Sequence, residues 1–289
     1  MSSMPEEIRR ALKEMGPGAT LEMNVRSKAM FAPLVEPVEG VVERLDQAYG
    51  DHPRQHFDVY AQPGASGAPI VIYIPGGGFS GGDKRQDETF FRNVGRFFAS
   101  KGLVGITANY RLSPEVSWPA ASQDLAALVA HVKAHAATFG GDAQRIVIFG
   151  HSAGAAHVAS YVFDPDLRGH DEVAGAILAS GLYVLRQEEL RPNVALYFGE
   201  DEATFARRSA LSHVAGTKVP VLLSVAEFDP VSLATPTFEM AIALTRRDGA
   251  PPPVLRIDDH NHFSCICGIG TKDERFSGAL LAFIASCTA

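Results

Sequence analysis

Residues 146–162, IVIFGHSAGAAHVASYV, carry the signals that decide the fold. The segment begins with an apolar, β-branched run and ends with an alanine-rich run of helix formers. Between the runs, Gly150 and Gly154 flank Ser152 in a GxSxG pattern. A strand that turns sharply into a helix can expose a serine hydroxyl at the edge of a sheet, facing the amino end of the helix. The segment therefore predicts a buried strand, a tight turn at Ser152 and a helix.

Similar apolar runs recur along the chain with helix-length segments between them. They are PIVIYIP (69–75), GLVGITANY (102–110), VAGAILAS (173–180), VPVLLSVAEFD (219–229) and PPVLRIDD (252–259). Strands that are apolar on both faces and alternate with helices are typical of a parallel sheet covered on both sides. Residues 119–139 have helical spacing and precede Gly140, so they predict one such helix. The predicted fold class is α/β, with a mostly parallel central sheet and helices on both faces.

The length of the chain, 289 residues, fits a single α/β domain over residues 1–289. Residues 1–45 and 182–215 show no strand pattern. Because ligands bind at the carboxyl edge of open α/β sheets, we expect these two segments to form a small cap over that edge.

Composition narrows the class of partner. The chain is 46% hydrophobic and has a net charge of −7 with scattered basic residues, which argues against disorder, nucleic-acid binding and a polybasic membrane contact. The first residues lack the apolar stretch of a secretory signal, so a cytoplasmic location is expected. Three cysteines fit neither a disulfide framework nor a CxxC zinc site. We expect a small-molecule partner, no metal and no cofactor, and leave a homo-oligomer open.

A second GxSxG pattern centres on Ser80. The polar stretch GGDKRQDETF follows it, so no helix can start directly after the serine. Only Ser152 has both the preceding strand and the following helix. Ser152 is therefore the predicted nucleophile, in preference to Ser80 and to a purely structural turn.

The segment IYIPGGGFSGGD, residues 72–83, has a run of glycines after a predicted strand. Glycines let successive backbone N–H groups point at one spot, which can stabilise an oxyanion. The segment resembles the HGGG loop of hormone-sensitive-lipase-type carboxylesterases and kynurenine-formamidase-like hydrolases, with Pro75 in place of the histidine. Residues 109–132 and 139–156 resemble the same families. The resemblance covers roughly residues 55 to 289 and implies the α/β-hydrolase fold.

The resemblance also implies the oxyanion hole. Carried over by position, its donors are the backbone N–H groups of Gly77, Gly78 and Ala153. Pro75 removes an imidazole that helps to fix the loop in these families, but it leaves all three donors in place.

A serine nucleophile needs a histidine base and an acid that orients it, in the chain order serine, acid, histidine. Two histidines, His260 and His262, follow the last predicted strand, and the end of the strand over 220–225 offers Glu227 and Asp229. Position alone leaves both pairs open. The related families have an aspartate before proline and a phenylalanine shortly after the histidine, which favours Asp229 and His262.

Four further residues are candidates for the substrate pocket: Phe79, Trp118, Phe31 and His151. His131 and His135 have metal-ligand spacing on a helix, but without an HExxH pattern a solvated helix face is the preferred interpretation.

The leading hypothesis is a serine carboxylester hydrolase that acts on a small or medium acyl ester through an acyl-enzyme. The alternative is an arylformamidase or amidase, because GHSAGA resembles the formamidase side of the superfamily. A non-catalytic ligand-binding protein with the same fold is the third hypothesis.

Overall fold

The computed structural model describes residues 4–168 and 173–289. Residues 1–3, which begin the predicted cap segment 1–45, lie outside the described residues. The described chain forms one sheet whose strands are β1 (Val42–Ala48), β2 (His56–Ala61), β3 (Ala68–Ile74), β4 (Val104–Ala108), β5 (Gly141–His151), β6 (Gly175–Ala179), β7 (Val221–Phe228) and β8 (Val254–Asn261). The spatial order is β1-β2-β4-β3-β5-β6-β7-β8. Strand β2 is antiparallel to β1 and β4, and β3 to β8 are parallel to one another.

The six predicted strands correspond to β3–β8, but β1 and β2 were not predicted. Strand β1, with the sequence VERLDQA, lies at the edge of the sheet and alternates exposed and half-buried residues. Such a strand needs no continuous apolar run, so its sequence lacks the signal that marks the central strands. The boundary of the first cap segment was therefore wrong, because residues 42–45 belong to the sheet.

The helices connect and cover the strands. They are α1 (Glu6–Met15), α2 (Leu21–Phe31), α3 (Arg92–Ser100), α4 (Ala120–His135), α5 (Ala153–Phe163), α6 (Pro165–Arg168), α7 (Pro192–Phe198), α8 (Phe205–Arg208), α9 (Val231–Asp248), α10 (Ser264–Cys267) and α11 (Glu274–Cys287). The predicted helix is α4, and the short 3-10 helix Ala136–Phe139 extends it to Gly140. Among the described residues, no helix is both long enough and apolar enough to span a membrane.

Strand β3 explains why the sheet is covered on both faces. Ile70, Ile72 and Ile74 belong to one apolar core, which includes residues of α4, α5 and α9. Val71 and Tyr73 belong to a second core with residues of α3 and α11. Because successive side chains of a strand point to opposite faces, a run of apolar residues supplies both cores at once.

Candidate active site

Ser152 lies at the junction of β5 and α5, at the carboxyl end of the central strand. Its backbone has φ 56° and ψ −123°, and a positive φ is uncommon for a residue other than glycine. Its N–H donates to the carbonyl oxygen of Ala179 at 2.9 Å, which fixes the turn to the end of β6. The strained turn leaves the serine side chain half-buried at the amino end of α5.

The two glycines of the motif are required because backbone segments approach closely here. A Cβ on Gly150 would lie 2.6 Å from Cα of Ala155, and one on Gly154 would lie 2.2 Å from the carbonyl oxygen of Ile74. These distances are too short for any side chain. The GxSxG pattern is therefore explained by packing of the turn against α5 and β3.

The three side chains predicted to act together are hydrogen-bonded in a chain. Nε2 of His262 lies 2.9 Å from Oγ of Ser152, and Nδ1 of His262 lies 2.7 Å from Oδ1 of Asp229. His262 and Asp229 are buried, with 2% and 6% exposure. An ionised carboxylate can only accept hydrogen bonds, so Nδ1 of His262, which faces Asp229, carries the proton. The lone pair of Nε2 therefore faces the serine hydroxyl. This arrangement can accept a proton from Ser152.

Asp229 is held by two further donors. The hydroxyl of Ser180 donates to its Oδ2 at 2.6 Å, and the N–H of Ala226 donates to the same oxygen at 2.7 Å. Burial alone would raise the pKa of Asp229, but the hydrogen bonds and the charge of His262 outweigh it and lower the pKa below the usual value. The carboxyl group is therefore ionised at neutral pH.

The two alternative residues that position left open, His260 and Glu227, have other contacts. The imidazole of His260 has Nδ1 2.9 Å from Oγ of Ser264 and Nε2 3.5 Å from Oδ2 of Asp273, away from Ser152. Glu227 accepts from the N–H of Asp259 at 2.7 Å and pairs with an arginine of β8. Both residues therefore have structural partners, whereas His262 and Asp229 contact each other.

The glycine-rich loop after β3 lies against the turn at Ser152. A Cβ on Gly76 would lie 2.8 Å from Cβ of Ser152. Gly77 has φ 154° and Gly78 has φ 60°, and a Cβ on Gly77 would lie 1.9 Å from the carbonyl oxygen of Gly81. Within residues 4–168 and 173–289, the N–H groups of Gly77 and Gly78 have no hydrogen-bond acceptor. Both N–H groups are thus available to an oxyanion.

The related families have a histidine that helps to fix this loop, whereas this chain has Pro75 at that position. Other contacts fix the loop here. The hydroxyl of Tyr110 donates to the carbonyl oxygen of Pro75 at 2.9 Å. The side chain of Asn193 donates to the carbonyl oxygen of Gly78 at 3.0 Å, and Ser113 donates to that of Phe79 through its N–H and its hydroxyl, both at 3.1 Å. The loop is therefore tied to its surroundings without an imidazole at position 75.

Ser80 occupies the exposed end of the same loop. It lies on a turn, and the residues that follow it are not helical. It therefore lacks the strand-to-helix geometry that exposes a serine toward a helix amino end.

Ser152 and His262 line a cavity of about 410 Å³. Both predicted cap segments contribute to its lining, through Ala19, Leu21 and Asn24 of residues 1–45 and through Leu182, Glu189, Arg191, Asn193 and Val194 of residues 182–215. A volume of this size falls in the range of small-molecule sites, roughly 300–1,000 Å³.

Two of the four predicted pocket residues line this cavity and two do not. Phe79 and His151 are among its lining residues. Trp118 packs instead near Arg207 and Arg208, whose guanidinium groups lie 5.1 and 5.6 Å from its ring. Phe31 is fully buried and lies 5.6 Å from the ring of His260. The predictions for Trp118 and Phe31 were wrong, because both aromatics are used for packing.

Sequence reasoning missed Ser180 and Asn193. Ser180 directly follows β6, so its position at the carboxyl end of a predicted strand, next to the strand that carries the acid, was a usable signal. Asn193 lies in α7, within a segment that shows no periodic pattern, and nothing in its sequence surroundings indicates its contact with the glycine-rich loop.

Among the described residues, no group of three or more histidine, cysteine, aspartate or glutamate side chains could hold a metal ion. His131 and His135 stack with ring centroids 4.3 Å apart, and Nδ1 of His135 bonds to the carbonyl oxygen of His131.

Comparisons with known proteins find similarity to esterases. The family model BD-FAE matches residues 57–163. The probable carboxylic ester hydrolase LipM of Mycobacterium tuberculosis is 36% identical over 120 residues, which cover 40% of this chain and 27% of LipM. Esterase LipQ of the same organism is 27% identical over 240 residues, which cover 75% of this chain and 56% of LipQ. The chain thus spans about a quarter and about a half of the lengths of these two relatives.

The solved structure of a bacterial heroin esterase aligns with a TM-score of 0.73 at 22% identity, over 99% of this chain and 98% of that chain. An arylesterase structure aligns with a TM-score of 0.74 at 18% identity, over 99% of both chains. The chain has the α/β-hydrolase fold. The predicted fold class and the resemblance to α/β-hydrolase esterases are confirmed. The part matched by the family model includes the glycine-rich loop and Ser152, whereas Asp229 and His262 lie outside it.

Proposed function

We propose that this protein is a serine carboxylester hydrolase with the catalytic triad Ser152, His262 and Asp229. The observation that carries the proposal is the hydrogen-bonded chain of these side chains, with distances of 2.9 and 2.7 Å, beside a cavity of about 410 Å³. The names of the curated relatives, a carboxylic ester hydrolase and an esterase, support the same reaction class.

In the first step, Oγ of Ser152 attacks the ester carbonyl carbon while Nε2 of His262 takes the hydroxyl proton. The carbonyl electrons move to oxygen, and the resulting oxyanion accepts hydrogen bonds from the N–H groups of Gly77, Gly78 and Ala153. Ala153 is the first residue of α5, and the N–H groups of a first helical turn have no partner within the helix. The ionised Asp229 stabilises the imidazolium that forms.

The tetrahedral intermediate collapses when the bond to the alcohol oxygen breaks and His262 returns its proton to that oxygen. Ser152 then carries the acyl group as an ester. Water attacks this ester, His262 accepts the water proton, and the same oxyanion donors act again. Release of the carboxylic acid restores the serine hydroxyl.

The two cap segments, residues 4–41 and 182–215, set the size of the substrate in this proposal. Leu21, Leu182 and Val194 supply apolar lining, and Asn24 and Asn193 supply polar groups. A cavity of about 410 Å³ suits a small or medium acyl ester.

Steady-state hydrolysis of p-nitrophenyl acetate and p-nitrophenyl butyrate tests the proposal. Ser152→Ala should lower kcat by several powers of ten, roughly 10⁴-fold or more, because the nucleophile is lost. Ser80→Ala is the matched control, since it removes a serine hydroxyl from the other GxSxG pattern, and it should stay close to the unsubstituted protein. Equal losses in the two variants would contradict the assignment.

The leaving group separates ester from amide hydrolysis. An arylamide must be protonated at nitrogen before it leaves, whereas a phenolate leaves readily. We expect faster turnover of p-nitrophenyl acetate than of an N-formyl arylamine at equal concentration. A higher kcat/KM for the arylamide would replace the ester proposal with the formamidase alternative.

A further inference from the structure

His151 contacts the backbone of the proposed base directly. Its Nε2 lies 2.8 Å from the carbonyl oxygen of His262, and the two imidazole rings have centroids 4.7 Å apart. A carbonyl oxygen can only accept, so Nε2 of His151 must carry the hydrogen. This bond joins two residues that are 111 positions apart in sequence.

The ring of His151 is neutral at physiological pH. Burial, and after it the neighbouring His262, lowers the pKa of His151 to about 3, although Asp229 and the bond to the His262 carbonyl group act in the opposite direction. A protonated His151 would oppose the transfer of a proton to His262, because the two cations would lie side by side. The neutral ring donates a hydrogen bond without adding that charge.

The position of His151 links three parts of the site. It is the last residue of β5 and directly precedes Ser152, and its Nδ1 lies 3.4 Å from the point where a Cβ on Gly76 would be. The carbonyl group that it contacts belongs to His262 itself, whose imidazole must lie within hydrogen-bond distance of Ser152. The imidazole of His151 therefore lies between the strand-to-helix turn, the oxyanion loop and the backbone of the base.

We propose that His151 is a positioning residue, whose Nε2–H bond to the carbonyl oxygen of His262 sets the distance between Oγ of Ser152 and Nε2 of His262. The inference rests on the proposed function, because it assigns His151 a role in proton transfer between those two atoms. The side chain of His151 connects the residue next to Ser152 with the backbone of His262 by a hydrogen bond. Sγ of Cys265 also contacts the His262 carbonyl oxygen, at 3.3 Å. Small displacements at such a site, about 1 Å, can reduce the rate by roughly 100-fold.

The matched pair His151→Gln and His151→Met tests the proposal. The two side chains have similar length and volume, but only glutamine can donate an N–H group to the His262 carbonyl oxygen. We expect kcat for p-nitrophenyl acetate to be at least roughly tenfold lower in His151→Met than in His151→Gln, with KM changed by less than about threefold. The rate of Ser152 labelling by a fluorophosphonate should fall in the same order, because labelling also needs the Ser152–His262 pair.

Thermal unfolding of both variants separates positioning from folding. If the variants melt at the same temperature and differ in kcat and labelling rate, the N–H group positions the base. Equal kcat values in the two variants, whether high or low, would overturn the inference. Failure of the proposed function gives a different result, because the unsubstituted protein would then show neither ester turnover nor labelling at Ser152.

Discussion

The hydroxyl of Ser180 donates to Oδ2 of Asp229 at 2.6 Å, and both side chains are buried. Ser180 follows β6 with φ 51°, an uncommon conformation for a serine. Its bond occupies one carboxylate oxygen, while the other oxygen faces His262. Ser180 thereby fixes the orientation of the carboxyl group relative to the imidazole.

Ser180→Ala should lower kcat by roughly tenfold with little change in KM, because one hydrogen bond to a charged group is lost while the bond from Ala226 remains. Steady-state kinetics with a p-nitrophenyl ester measure the effect. Ser224→Ala is the matched control: Ser224 is equally buried, and among the described residues its hydroxyl has no hydrogen-bond partner. A larger loss in the control would contradict the role of Ser180.

Asp229→Asn should lower kcat by roughly 10⁴-fold, because an amide can neither hold the imidazole in the required tautomer nor stabilise its charged form. Glu227→Gln changes the neighbouring acid in the same way and should retain most activity, since Glu227 contacts Asp259 and not His262. If the Glu227 variant loses more activity, the acid has been assigned to the wrong residue.

The acid dependence of stability also tests the state of Asp229. Its pKa is lowered in the folded protein, so its contribution to the free energy of unfolding is complete above the unfolded-state pKa of about 4 and is lost as the pH falls through the folded-state value. The difference in the free energy of unfolding between the unsubstituted protein and Asp229→Asn, measured by urea unfolding, should therefore shrink from pH 5 towards pH 2. The change should correspond to the titration of about one carboxyl group. A difference that grows on acidification would mean that folding raises the pKa of Asp229.

Ser152→Gly should unfold at higher urea concentration than Ser152→Ala, although both variants lack the nucleophile. Glycine adopts φ 56° and ψ −123° without the steric strain that alanine suffers. Glycine loses more backbone entropy than alanine on folding, which offsets part of the relieved strain. We therefore expect a net difference of about 1 kcal/mol in the free energy of unfolding. Equal stability would indicate that the turn at residue 152 is not strained.

Gly77→Ala should lower kcat by roughly 100-fold or more, because a Cβ 1.9 Å from the carbonyl oxygen of Gly81 must displace the loop that carries the oxyanion donors. Gly64→Ala separates this effect from backbone strain. Gly64 also has a positive φ, 73°, but a Cβ there meets nothing within 4 Å and the residue does not line the cavity. Similar activity losses in the two variants, measured by ester hydrolysis, would argue against the oxyanion role of the loop.

The parts of the site that were predictable from sequence are those with a local signal or a fixed chain order. The turn at Ser152 is marked by a buried strand, small flanking residues and a helix, and the order serine, acid, histidine restricted the partners to Asp229 or Glu227 and His262 or His260. The choice within each pair came from family resemblance, because only the three-dimensional structure reveals that Glu227 and His260 have other partners.

The remaining parts depend on tertiary contacts that leave no periodic pattern. Trp118 and Phe31 look like pocket residues by type, but the same aromatic surface suits an interior position equally well. Strand β1 alternates exposed and half-buried residues, so its sequence resembles a surface segment. Asn193 reaches Gly78 across 115 positions, a contact that only the folded chain creates.

Mass spectrometry of the protein after reaction with a fluorophosphonate tests the central claim most directly. We predict a single adduct on the peptide that contains Ser152, with labelling abolished in Ser152→Ala and strongly slowed in His262→Ala. An adduct on Ser80, or labelling of Ser152 that proceeds unchanged without the His262 imidazole, would contradict the proposed nucleophile–base pair.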